Sequence, residues 1–214
     1  MVVSSSQKVK PSEKVPHKIY KVPYEPNWIE DLINKYLLQG HQFQYMVKFM
    51  ETLVGLCEAA LNSSEVLDQL SGFDLIIYDN LAFCGPLIGE HLGLQKVEFL
   101  PLPPSGDLLH RTPRPISYTS YLWVGLTDKM SFFERLVSLG AYIGGEVMVY
   151  LAITRPFNAL KVKYNIKPDI DFRDSACDTQ LLIMTADFAV EYPQPLLPGT
   201  CSHRMSFDIH FLAR

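Results

Sequence analysis

The stretch from Phe73 to Pro101 constrains the fold most. FDLIIYDN is a short apolar, β-branched run that ends in an acid. LAFCGPLIGEHLG follows, with Leu87, Ile88 and Leu92 at helical spacing and Gly93 placed to end a helix. KVEFLP reads as a second strand. Strand, helix and strand within about thirty residues make a βαβ unit, which requires parallel strands and a right-handed crossover. A third buried strand is predicted at QLLIMTA, near Leu181 to Thr185.

Other segments supply helices. Asn27 before Trp28, with Glu30 three residues on, marks a helix start. After a break at Gly40, Phe43, Met46, Val47, Met50, Leu53, Val54, Cys57, Ala60 and Leu61 recur at helical spacing, as in a long helix packing one face on a core. Ser131 is placed to cap a helix from Phe132 toward Arg155, with Pro156 as its boundary. Its stretch from Leu136 to Thr154 approaches membrane-spanning length. Glu146 beside two glycines makes a span costly, and leaves a buried core helix or one lying on a bilayer surface. The sum is a doubly wound parallel α/β domain with an insertion of long helices.

Composition narrows the functions. The 214 residues are 48% hydrophobic and 20% charged, enough to build a core, with a net charge of −4. No basic excess exists to neutralise phosphates, so nucleic acid is not an expected partner. Cys57, Cys84, Cys177 and Cys201 are too few and too scattered for a disulfide framework and lack zinc spacing. The histidines at 17, 41, 91, 110, 203 and 210 show no ligand spacing, so no metal is expected. Dinucleotide, P-loop, zincin and nucleophile-elbow motifs are all absent from the sequence. The first twenty residues lack the apolar run of a signal peptide. Asn62-Ser63-Ser64 is an N-x-S sequon, which matters only in a luminal protein.

In open parallel sheets, ligands bind outside the carboxyl ends of the strands. Asp79 takes that position. A carboxylate there can orient a histidine, hold a metal or accept from a sugar hydroxyl. It can equally well just cap the next helix. His110 lies in the proline-rich loop that follows, as a surface residue or a substrate contact.

Three strings, FDLIIYDNLAFCGPLIGEHLG, PRPISYTSYLWVGLTDKMSFFERL and DFAVEYPQPLLPGT, in that order resemble the amino-terminal half of the UDP-glucuronosyltransferases and related UDP-glycosyltransferases. The resemblance covers roughly residues 1–200. It implies a Rossmann-like acceptor domain, the amino-terminal one of a GT-B pair, with the UDP-sugar held by a second domain and no cofactor. It also implies inverting transfer of a hexosyl or glucuronosyl group to a hydroxyl or carboxyl of a small lipophilic acceptor. In that scheme a histidine takes the acceptor proton, and Asp79, by its match in IIYDN, orients that histidine and stabilises the imidazolium. Phe83, Leu102, Leu108, His110, Tyr118, Tyr121 and Trp123 are the expected acceptor-binding residues, with core filling as the alternative for Phe83 and Trp123.

The family's histidine lies on the first strand-to-helix turn, and MVVSSSQ aligns with the strand after that unit. The first βα unit is therefore expected to be lacking. Residues 201–214 diverge from the family pattern, so Cys201, His203 and His210 are expected to carry no site. Taken alone, the chain is expected to transfer no sugar. The alternative is a non-catalytic partner, associating with itself, with full-length relatives or, through residues 132–154, with a membrane surface. The family address is the endoplasmic reticulum membrane.

Overall fold

In the computed structural model the described residues are 2–4, 17–25, 27–101, 109–110, 112–113, 115–119, 124–185, 195–196 and 200–203. Their centre is a parallel sheet in the order β3-β4-β5-β6, formed by β3 (Leu75–Asp79), β4 (Gln95–Leu100), β5 (Leu181–Thr185) and β6 (Thr200–His203). β6 takes in the first three residues of the segment that the sequence pattern sets apart. Two further strands, β1 (Val2–Ser4) and β2 (His17–Ile19), pair parallel as a separate sheet.

The βαβ unit forms as its pattern dictates. Between β3 and β4 runs α4 (Gly85–Leu92), with Pro86 in its first turn, where a missing N–H costs nothing. Gly93 ends it with φ 68°, a left-handed conformation that glycine adopts without a Cβ clash. Gly85 and Gly89 pack α4 tightly on the sheet, because a Cβ on Gly85 would land on the Tyr78 ring.

The remaining helices are α1 (Trp28–Leu32), extended by a π-helical turn over Ile33–Leu37, then α2 (Gln42–Leu61) and α3 (Ser64–Leu70). α5 (Phe132–Val149) starts at Ser131 with a full capping box. The Ser131 hydroxyl accepts from the Glu134 N–H, and the Glu134 carboxylate accepts from the Ser131 N–H. Pro156 does not bound this helix. The chain passes through a π-helical turn at Tyr150–Thr154 into α6 (Arg155–Lys163), with Pro156 in its first turn. The wider π turn absorbs the N–H that proline lacks and its clash with the preceding turn. α7 (Phe172–Cys177) precedes β5.

Helices α2, α3, α4, α6 and α7 share one apolar core. Phe157 is its hub, stacked on Phe172 at 4.7 Å and edge-on to Phe83 at 5.9 Å. A disulfide joins Cys57 on α2 to Cys84 at the start of α4, with Cα atoms 5.0 Å apart. The scatter of the cysteines in the sequence does not prevent this bridge. Residues 27 apart in sequence meet because α2 packs beside the strand-to-helix turn.

A second, ionic cluster ties α4, α6 and α7 to β4. Glu90 of α4 lies 2.9 Å from Lys161 of α6, 3.4 Å from Lys167 and 3.9 Å from Lys96 of β4. The side chains of Glu90, Lys161 and Lys96 are all at most 3% exposed. Lys96 also donates to the Ser175 carbonyl at 2.7 Å. Burial opposes charge on Glu90, yet the hydrogen bond and charge of Lys161, helped by Ser175 and Lys96, hold its carboxyl below the usual range.

Among the described residues, helices cover one face of the sheet only. Tyr78, Glu98, Leu182 and Met184 point into that face and are buried. On the other face Leu75 is 45% and Ile77 is 67% exposed.

Candidate functional site

Strand alternation decides what surrounds Asp79. Tyr78 faces the helices, so Asp79, the next residue, faces the uncovered side and is exposed. The residue does not cap α4, whose N-cap is Cys84 with no side-chain bond. Instead, its Oδ1 accepts from the Leu81 N–H at 2.8 Å and its carbonyl accepts from the Ala82 N–H at 2.8 Å. These bonds close a tight turn that brings the chain off the end of β3. The second carboxylate oxygen has no protein partner among the described residues.

Asp79 lines a slot of about 480 Å³ that runs along the free edge of β3. Ile76 and Ile77, from opposite faces of the strand, both line it, as do Tyr20, which follows β2, and Ala60 and Leu70. The bridged Cys84 and Gly85 close the end nearest Asp79. The slot therefore pairs a row of unpaired strand backbone with one free carboxylate oxygen.

The other expected site residues divide into three groups. Phe83 is 2% exposed inside the core against Phe157. His110 is 7% exposed and lies on the helix-covered side, its Nε2 3.2 Å from Glu98 Oε2. Neither shares the face of Asp79. Tyr118 is 39% exposed in a turn at residues 116–118. Leu102, Leu108, Tyr121 and Trp123 lie outside the described residues.

Beside His110 is a polar cluster that sequence reasoning did not single out. Glu98 is fully buried in β4 and receives hydrogen bonds from Tyr78 Oη, at 2.9 Å, and from Asn80 Nδ2. Tyr78 Oη also lies 3.1 Å from Thr179 Oγ1. Burial, then the charge of Glu98, pushes the Tyr78 phenol far up, so it stays a neutral donor. The available signal was an acid set between Val97 and Phe99 in the strand KVEFL. This cluster ties β3, β4 and the stretch at His110 together behind the sheet. No group of three or more potential metal ligands occurs among the described residues.

The arrangement is a parallel α/β sheet with an exposed acid at the carboxyl end of one strand, where open sheets of this kind place their ligands. Comparison with known proteins makes the class specific. The family described as UDP-glucoronosyl and UDP-glucosyl transferase matches residues 5–205, and the chain belongs to it. The chain is 26% identical to UDP-glucuronosyltransferase 1-2 of Rattus norvegicus, over 84% of its own length and 36% of that protein. Against UDP-glucuronosyltransferase 1A6 of Homo sapiens the identity is 27%, over 89% of this chain and 38% of the relative. Against 2-hydroxyacylsphingosine 1-beta-galactosyltransferase of Mus musculus it is 26%, over 72% and 29%. The chain thus spans about a third of the length of these relatives. No solved structure matches it.

Proposed function

We propose that the chain is the acceptor-binding part of a UDP-glycosyltransferase, from the amino-terminal half of the GT-B arrangement. The reaction is inverting transfer of a hexosyl or glucuronosyl group from a UDP-sugar to a hydroxyl or carboxyl of a small lipophilic acceptor. For a hydroxyl acceptor, a histidine takes the proton as the oxygen attacks the anomeric carbon and UDP leaves. Asp79 orients that histidine and stabilises the imidazolium. The single observation that carries this reading is Asp79 at the carboxyl end of β3, open on the uncovered face with one oxygen unengaged.

Among the described residues β3 has a free edge, which supports the reading that the first βα unit is absent from residues 1–200. A strand laid along that edge, in the slot that Tyr20 after β2 also lines, would extend the sheet. Its own strand-to-helix turn would then stand beside Asp79, where the histidine is needed. On this reading residues 201–214 lie outside the functional site, and the chain by itself transfers no sugar. The donor substrate is bound elsewhere and no cofactor takes part. The Cys57–Cys84 bridge favours an oxidising compartment, in keeping with a domain on the luminal side of the endoplasmic reticulum membrane.

The test uses the whole protein that carries this chain, with UDP release measured over a panel of phenols, alcohols and carboxylic acids. Asp79→Asn keeps an acceptor for the Leu81 N–H but removes the charge. Its kcat is expected to fall by about 10²–10⁴-fold with KM little changed. Full activity in Asp79→Asn, with only Asp79→Ala impaired, would reduce the residue to a turn former and overturn the reading.

A second role is favoured by α5. Phe132 and Phe133 are 76% and 75% exposed, and Ile143, Val147 and Leu151 continue an exposed apolar face. The continuous helix Phe132–Lys163 is long and apolar enough to cross a membrane. Glu146, however, is paired with Arg173 at 2.7 Å, which ties this helix to α7. We read the exposed half as lying on a bilayer surface. Flotation with neutral phospholipid vesicles is expected to be lost in the Phe132→Ser/Phe133→Ser variant. Unchanged flotation refutes the contact.

A further inference from the structure

We infer that Asn62 carries an N-linked oligosaccharide. Asn62-Ser63-Ser64 is the only Asn-x-Ser/Thr triplet in the sequence, and such a triplet has meaning only where the chain meets the luminal transfer machinery. The Cys57–Cys84 bridge supplies that condition, because a bridge of this kind forms and persists in an oxidising compartment. It lies only five residues before the sequon. The site shares with the proposed function its luminal address and nothing else.

The local structure presents the side chain outward. Leu61 is 5% exposed and ends the buried face of α2, whereas Asn62, the C-cap, is exposed. Tyr164 Oη donates to Asn62 Oδ1 at 2.8 Å, which fixes the carbonyl side of the amide and leaves Nδ2 as the outward group. Ser63 is the N-cap of α3 and Ser64, the required hydroxyl, is exposed on its first turn. Helix capping does not account for an asparagine here. Asparagine is favoured at helix ends for its tolerance of the left-handed conformation, but Asn62 has φ −79°.

Asn62 lies in the short connection between α2 and α3, and its partner Tyr164 just after α6. The donor is a lipid-pyrophosphate-linked oligosaccharide. The amide nitrogen forms a bond to its anomeric carbon, and the bond from that carbon to the phosphate oxygen breaks. The lipid pyrophosphate leaves with the electron pair, and the amide proton passes to a base of the transferring enzyme and on to water.

The experiment expresses the chain, with whatever sequence naturally flanks it, in cultured animal cells. Peptide-N-glycosidase treatment is expected to increase its mobility by one glycan step. That treatment in ¹⁸O-water is expected to convert Asn62 to labelled Asp, read by peptide mass spectrometry. Asn62→Gln and Ser64→Ala should each abolish the step, while Tyr164→Phe, which removes only the hydrogen bond, should keep it. Thiol labelling before and after reduction scores the bridge separately. An unmodified Asn62 in a bridged chain overturns the proposal and leaves the luminal address standing. An unmodified Asn62 in an unbridged chain overturns both.

Discussion

Among the described residues Glu90 is the one acid that three lysines share, and that asymmetry fixes how its cluster must respond to substitution. Glu90→Gln keeps an acceptor for Lys161 but removes the charge. Lys96 still has the Ser175 carbonyl and Asp178, at 2.7 Å and 3.4 Å. Lys161, at 1% exposure, is left among the described residues with neutral partners only, the new amide oxygen and the Ser175 hydroxyl. Leaving one buried charge without its counter-ion costs about 3–5 kcal/mol. The reverse change, Lys161→Met, leaves Glu90 with Lys167 and Lys96 and costs about 1–3 kcal/mol for the lost hydrogen bond. For a domain of this size the larger figure lowers Tm by roughly 10 °C. Thermal and urea unfolding followed by circular dichroism measure both variants and the Glu90→Leu/Lys161→Met double. The order expected is Glu90→Gln worst, with the double less damaging than the sum of the singles. Equal losses for the two singles, or a worse Lys161→Met, would refute the shared-acid account.

The same carboxyl sets a pH response. Its folded value lies below the ordinary range, so its stabilisation is complete above the unfolded value of about 4.3 and is lost as pH falls through the depressed folded one. Melting temperatures from about pH 5 down to about pH 3 should therefore fall more steeply in the natural chain than in Glu90→Gln. Gly85→Ala should cost roughly 1–3 kcal/mol by overpacking, since the new methyl meets a Tyr78 ring held by Glu98 and Thr179. An unchanged melt would show that α4 can lift off the strand.

How much of this was legible depended on whether the deciding interaction was local. The βαβ unit, the stop at Gly93 and the helix cap at Ser131 were readable because each rests on residues close in sequence. The carboxyl-end position of Asp79 followed from that unit. The Cys57–Cys84 bridge was not readable, since it depends on which helix lies over the strand-to-helix turn. Lys161 and Val162 inverted the usual pattern. The lysine is 1% exposed and the valine 65%, because Glu90 on another helix selects which side of α6 turns inward. Pro156 misled for a related reason, as the π-helical turn before it lets the helix continue.

The register of β3 against β4 carries the last step. Tyr78 lies opposite Glu98 and Asp79 opposite Phe99, so the two acids nearest the site end point to opposite sides of one sheet. Glu98 is enclosed and occupied by Tyr78 and Asn80, with His110 beside it on that side. A histidine on the covered side cannot reach Asp79 without passing through the strand. An imidazole paired with Asp79, as in the proposed function, would therefore approach from the open face or from the edge of β3 that no described strand occupies. Replacing His110 with Gln should then disturb the packing behind the sheet yet leave the pH dependence of sugar transfer where it was. A shift in that profile would place His110, rather than a residue beyond the β3 edge, in the proton path.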